Sequence, residues 1–336
     1  MDLDEVLRGM LGAGYGPGLV GLVTDYDAVV WSGSHGTGSI AGHEPIPVDA
    51  HFRIGSVTKT YVAAATVRLE QAGALSVSDP VARWLPEYDL DAALTIEHLL
   101  RLRSGIPDYL NALFGTPPDL TVYQRFHAAD ELVRLALSLP DRTLPNAAFR
   151  YSNADYILLG IILERAAGAR IDDVMRRQIF EPLALTQTTY PIDDITLPPP
   201  HARGYSRMTS KMPYFDTTEI SPSESGASGA IVATPRDVAR FVDATIFGPF
   251  LGTDGSAALR NVQPVADDRG YGYGLYRVAL PNGVVAYGHQ GGTAGFNTVA
   301  VTTETRRTAV VYTNGFDLSR PLRWDNPFVL AALAGD

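Results

Sequence analysis

Two hydrophobic periods alternate along this chain, and the changes from one to the other divide it. Residues 2–12 place Leu3, Val6, Leu7 and Met10 on one side at three- and four-residue spacing, as a half-buried helix does. Gly18–Val23 and Ala28–Ser32 read as two strands joined by a tight turn at Asp25-Tyr26-Asp27. A strand-like His51-Phe52-Arg53-Ile54 then leads into an alanine-rich helical run from Thr60 to Gln71, which stops at Gly73. From Asp79 to about Asp216 the period is helical and broken by prolines. Its clearest helices are Thr95–Arg101, Asp130–Ser138 and Asn153–Ala167, the last ended by Gly168. Beyond Ser221 the short period returns. Ala230–Ala233 reads as a strand, and Thr234-Pro235 opens a helix that runs to Ile246. Gly274–Ala279 and Val284–Tyr287 form a hairpin pattern around Pro281-Asn282-Gly283, with Phe296–Thr302 and Thr308–Thr313 as a further strand pair. Pro321–Leu333 reads as a closing helix.

Strands at both ends around a helical middle imply an α/β (α+β) fold, in which a mostly antiparallel sheet flanked by helices is built from both termini. Residues 1–78 and 217–336 are expected to form the sheet domain. Residues 79–216 are expected to form an inserted all-helical lobe, the two making one catalytic unit.

Composition narrows the partners. A net charge of −10 argues against nucleic acid and anionic membrane surfaces, which need a basic footprint. No cysteine is present, so disulfides, thiol catalysis and cysteine-ligated metals are excluded. The seven histidines (35, 43, 51, 98, 127, 201 and 289) form no H-x-H or H-x-x-x-H pair, which gives no spacing for a metal site. No apolar run is long enough to span a bilayer. The acidic start, Met1-Asp2-Leu3-Asp4-Glu5, does not read as a signal peptide, so the expectation is a cytoplasmic protein, or an exported one if this is a trimmed mature form.

The strongest chemical signal is Gly55-Ser56-Val57-Thr58-Lys59. A serine at a helix N-terminus and a lysine three positions later share one helical face, one turn apart. Only two lysines, Lys59 and Lys211, stand among 27 basic residues. An amine loses its proton at working pH when desolvated and a guanidinium does not, so a lysine in this position suits a base. Two other stretches stand out. Tyr151-Ser152-Asn153 precedes an apolar helix and offers a phenol and an amide, although Asn153 is equally suited to capping that helix. His289-Gln290-Gly291-Gly292 is placed in a loop after a strand, where glycines let backbone N–H groups approach a ligand as an oxyanion hole does.

Taken in order, these three stretches resemble the S-x-x-K, Y-x-N and K/H-x-G signatures of the serine β-lactamase and penicillin-binding-protein superfamily. The resemblance is nearer to its D-alanyl-D-alanine carboxypeptidase and class C β-lactamase-like branch, which also holds esterases and D-aminopeptidases. Phe52–Lys59, Thr95–Leu100 with Ser104–Tyr109, Phe149–Asn153, Ser228–Ala230 with Thr234–Val238, and Tyr287–Gly292 all take part, over about residues 15–315. The resemblance implies an acyl-enzyme mechanism without a cofactor. Ser56 would be the nucleophile, Lys59 and Tyr151 would share the proton traffic, and the N–H groups of Ser56 and Gly292 would hold the oxyanion. Asn153 would orient the acyl-side amide, with His289, Gln290 and Gly291 completing the substrate site. A donating or charged His289 beside Tyr151 would favour tyrosinate character. Whether Lys59 or Tyr151 is the base stays open.

Departures shape the substrate expectation. His289 stands where class C β-lactamases carry lysine, which argues against efficient β-lactam hydrolysis. Carboxypeptidases of the branch read H-T-G-T and carry an arginine on the preceding strand for the substrate carboxylate. Here the two threonine positions are Gln290 and Gly292, and the arginine position falls on Tyr276, beside Arg277. A serine hydrolase of ester or amide bonds, D-amino-acid peptides included, is therefore expected of a small-molecule or peptide substrate. The alternatives are a D,D-carboxypeptidase, an acyltransferase or peptide cyclase, and a binding or sensor domain without turnover. The loops at Tyr109–Tyr123 and Tyr205–Phe215 serve equally as pocket walls or as ordinary packing.

Overall fold

The structure is a computed structural model that describes residues 2–115 and 120–334. Eight strands form one sheet: β1 (Gly18–Asp25), β2 (Ala28–Gly36), β3 (Gln263–Ala266), β4 (Arg269–Tyr271), β5 (Tyr276–Ala279), β6 (Val285–Thr293), β7 (Phe296–Thr302) and β8 (Arg307–Thr313). Their order is β2-β1-β8-β7-β6-β5-β4-β3, and every neighbouring pair is antiparallel. The two ends of the chain meet one strand in from an edge of the sheet, where β1 pairs with β8 from Leu19↔Thr313 to Asp25↔Arg307.

Seven helices shape the core and the site: α1 (Leu3–Gly12), α2 (Thr58–Gln71), α3 (Ile96–Leu100), α4 (Ala129–Ser138), α5 (Asn153–Ala167), α6 (Pro235–Ile246) and α7 (Pro327–Ala332). Alternation along the strands assigns them to two layers. Leu19, Val23, Val299, Val301, Ala309 and Val311 point to one face and bury against Leu7 and Met10 of α1 and Phe328 and Val329 of α7. Val20, Leu22, Ala300, Val310 and Tyr312 point to the other and join a core with α2, α5 and α6. In α2 every residue from Thr58 to Val67 is buried. The run Ala63-Ala64-Ala65 keeps this helix thin enough to be packed on all sides.

Several elements differ from the sequence reading, each for a local reason. His289–Gly292 lies inside β6 rather than in a loop, because the strand continues through Thr293 and pairs with β7 across the turn at Ala294-Gly295. The closing helix shrinks to α7, since Asn326 caps it with Pro327 in the first turn. Leu322 and Trp324, ahead of it, are buried against the sheet instead. β3 and β4 carry too few residues to show a period, and Pro264 suits an edge strand. Tyr205–Arg207 and Phe215–Asp216, in the stretch read as helical, pair with Gly315–Asp317 in a separate three-stranded sheet. Among the described residues no helix is long and apolar enough to cross a membrane.

Candidate active site

Ser56 sits in a single tight turn, Gly55–Val57, between a two-residue strand pairing and the start of α2. The turn is seated on β6. β6 pairs with β5 only from Val285 to Gly288, and the rest of that edge meets the serine turn. A Cβ on Gly291 would lie 2.0 Å from the Ile54 carbonyl oxygen, and one on Gly55 would lie 2.8 Å from the Gly292 nitrogen. Gly55 also holds φ +53°, a conformation that favours glycine. Backbone therefore meets backbone at the place where Ser56 and Gly292 bring their N–H groups.

One turn into α2, Lys59 is fully buried. Its Nζ lies 3.1 Å from Ser56 Oγ, 2.7 Å from Asn153 Oδ1 and 2.9 Å from the Ser228 carbonyl oxygen. The ring faces of Tyr151 and Tyr156 flank it, with centroids at 4.9 and 5.5 Å. Burial pulls the amine down to about 7, against the opposing pull of the Asp108, Asp155 and Glu224 carboxylates.

Asn153 is the first residue of α5, with Ser152 in the capping position. It does not cap the helix. Its Nδ2 donates to both oxygens of Asp108, at 3.3 and 3.0 Å, and this fixes the amide so that Oδ1 faces Lys59. The resting structure thus commits the Asn153 amide to Lys59 and Asp108, whereas the resemblance implies an acyl-side amide as its partner. Beneath it, Ser104 Oγ donates to Asp155 Oδ1 at 2.5 Å, and burial pushes the Asp155 carboxyl well up.

Tyr151 lies on the other side of the serine, its hydroxyl donating to Ser56 Oγ at 2.7 Å. Burial drives the phenol far above its ordinary value, so it keeps its proton. His289 is buried beyond it, the two rings 6.4 Å apart. Nδ1 of His289 meets the Gln290 carbonyl oxygen at 2.5 Å, which places the proton on Nδ1 and leaves Nε2 to face the Tyr271 hydroxyl at 3.4 Å. Burial, with Lys59 nearby, pulls His289 down to about 3. It is a neutral imidazole with both nitrogens occupied, so it does not supply the charge that would favour a tyrosinate. Tyr276, at the position where the resemblance implies an arginine in carboxypeptidases, tilts its ring at 57° to that of His289, with centroids 5.3 Å apart.

Beside Gly292 opens a cleft of about 520 Å³. Leu110, Phe114, Tyr123, Met208 and Phe215 line it, so both loops named from the sequence contribute walls. Residues 116–119 of the first lie outside the described residues. The sequence reading assigned no role to Asp108, Ser228 or Glu224. Asp108 stood within a stretch already singled out, Ser104–Tyr109, but nothing local shows that it meets residue 153.

The family model described as Beta-lactamase matches residues 3–334. The chain belongs to the beta-lactamase family. Among its relatives in the family, penicillin-binding protein 4* of Bacillus subtilis is 25% identical over 299 residues, covering 84% of this chain and 65% of that protein. Esterase EstB of Burkholderia gladioli is 30% identical over 179 residues, covering 50% of this chain and 45% of the esterase. The chain therefore matches less than two thirds of the length of either relative. A D-stereospecific amidohydrolase from Streptomyces sp. has a similar structure, with a TM-score of 0.89 and 26% identity over 99% of this chain and 98% of that one. The amidohydrolase shares the mixed α/β fold of this chain.

Proposed function

We propose that this family member is a serine hydrolase that cleaves ester or amide bonds through an acyl-enzyme on Ser56. The observation that carries the reading is the set of partners around Lys59 Nζ. Asn153 Oδ1 and the Ser228 carbonyl only accept hydrogen bonds. In the neutral amine they take its two protons, which turns the lone pair towards Ser56 Oγ. Lys59 is then the base and Tyr151, which keeps its proton, the acid: one environment lowers an amine while its neighbour raises a phenol.

The steps follow from these roles. The Ser56 hydroxyl proton passes to Lys59 as Oγ bonds to the substrate carbonyl carbon, and the carbonyl π pair moves to oxygen beside the N–H groups of Ser56 and Gly292. Tyr151 gives its proton to the leaving amine or alcohol as that bond breaks, and Lys59 returns a proton to Tyr151. Water then repeats the sequence on the acyl-enzyme and frees the acid. The Tyr276 ring in place of a cation disfavours a free C-terminal carboxylate, which supports an amide, ester or blocked terminus over the carboxypeptidase alternative. The relatives described as an esterase and a D-stereospecific amidohydrolase agree with that substrate range.

Intact-protein mass after brief exposure to an activated ester, and separately to benzylpenicillin, tests the reading. A transient adduct that is absent in Ser56→Ala, with release of the acid, is expected from the ester. Lys59→Arg is expected to lower turnover about 10²–10⁴-fold. Turnover retained in either variant overturns the assignment.

A further inference from the structure

The cleft beside Gly292 contains two charged side chains, Arg207 and Glu224, among apolar walls. Arg207 is already paired. Its Nε donates to the buried Asp317 carboxylate at 2.8 Å, and its guanidinium lies over the Tyr214 ring, 4.4 Å from the centroid. Glu224 is different. It is only 4% exposed, and the side-chain partner of its carboxylate is the Ser225 hydroxyl, 2.5 Å from Oε1. Arg53 and Lys59 attract it only through space: Arg53 gives Nη2 to the carbonyls of Ile195 and Thr218, while its buried Nε and Nη1 have no hydrogen-bond partner. Among the described residues no cation comes within ion-pair distance of Glu224. The loop that carries it is held in place, for the Tyr109 hydroxyl donates to the Glu224 carbonyl oxygen at 2.7 Å.

We propose that Glu224 receives a primary ammonium group on the acyl part of the substrate, whose apolar or aromatic side chain fills the cleft. A buried carboxylate whose cations act only from a distance is costly, and an ammonium brought into contact by the substrate lowers that cost while gaining charge-assisted hydrogen bonds. Burial raises Glu224 to about 7, which is the condition of a carboxyl waiting for such a partner. A metal ion fits less well, because among the described residues no three acidic or histidine side chains converge. The cleft meets β6 at Gly292, Thr293 and Ala294, past the nitrogen that would hold the oxyanion, and its lining includes neither Ser56 nor Tyr151. With Tyr151 as the acid beside the leaving group, we place Glu224 with the acyl half. This assignment rests on the acyl-enzyme reading for the identity of that half.

Two measurements keep the proposal and that reading separate. The first is calorimetric binding to Ser56→Ala, which cannot form an acyl-enzyme, of phenylalanine amide (both enantiomers) and of 3-phenylpropanamide, which lacks the amino group. One enantiomer is expected to bind about tenfold or more tightly than the deaminated amide, and Glu224→Gln is expected to remove the difference. The second is the ratio of kcat/KM for phenylalanine ethyl ester over ethyl 3-phenylpropanoate in the otherwise unaltered enzyme. This ratio is expected to fall about tenfold in Glu224→Gln, a comparison from which intrinsic ester reactivity cancels. Equal binding of the two amides, or a ratio unchanged by the substitution, overturns the ammonium site. An ammonium preference that depends on Glu224, in a protein that forms no adduct at Ser56, leaves the site standing and overturns the acyl-enzyme reading instead.

Discussion

At the scale of single residues, burial is the largest cause that separates Lys59 from Tyr151. Lys59 is lowered because nothing close enough offsets its desolvation, and Tyr151 is raised for the same reason with the opposite effect on charge. Activity should therefore follow the neutral amine. Below about 7 Lys59 is an ammonium with no lone pair for Ser56, so kcat/KM should fall as pH drops through that value and level off above it. His289 is already neutral throughout this range, so the same limb should persist in His289→Gln, whatever the change in maximal rate. A pH–rate profile of both proteins on ethyl 3-phenylpropanoate, which brings no ammonium to Glu224, checks this. Loss of the limb in His289→Gln would return the titration to the histidine. The sequence made Ser56, Lys59 and Tyr151 legible, because each belongs to a short local pattern. It hid Asp108 and Ser228, because their importance is a contact made across 45 and 169 residues. It also left His289 as donating or charged, and charge depends on burial, which no tetrapeptide carries.

Among the elements, the contact that defines the site is the one between the serine turn and β6. Gly291 has no space for a Cβ, and the atom in the way is the Ile54 carbonyl oxygen, which cannot move without moving the turn. Gly291→Ala should therefore spread the turn from the strand, lowering stability by about 1–3 kcal/mol through overpacking. A displacement near 1 Å at Ser56 should cost about 10²-fold in kcat/KM. Gly292→Ala meets the Phe316 ring, a side chain, and should be milder. Denaturation midpoints and kinetics on the two variants test the order. Most helices were legible from caps and period: α5 and α6 begin and end within a residue of the expected bounds. The continuation of β6 through His289–Gly292 was not. Glycines read as a loop in one dimension, whereas here they mark a strand edge against which another backbone packs.

For the whole molecule, the sheet divides catalysis from closure. One face carries α2 and the site, and the other is covered by α1 and α7, which bring Leu7, Met10, Phe328 and Val329 onto strand residues of both chain ends. Phe328 is wholly buried and packs on Trp31, with ring centroids 5.4 Å apart. Phe328→Ala should lower stability by about 3–5 kcal/mol. Its kcat/KM, measured well below the unfolding transition, should remain close to that of the unaltered chain. An equal loss of both would show that the two faces are coupled. The antiparallel sheet and its origin in both ends were legible in the alternation of apolar residues. The three-stranded sheet of Tyr205–Arg207, Phe215–Asp216 and Gly315–Asp317 was not, since strands this short carry no period.

The pairing of β1 with β8, strands from opposite ends of the chain, bears on how the protein is made. At about 5–20 residues per second, the ribosome delivers Ser56 roughly ten to fifty seconds before Gly291 and Gly292, and β1 waits longer still for β8. Through that interval Ser56 lacks the strand on which its turn is seated, and β1 lacks its partner β8. A chain interrupted before β6 thus carries Ser56 without the strand edge against which its turn packs. On the proposed mechanism, activity arrives only with the strands that also close the sheet.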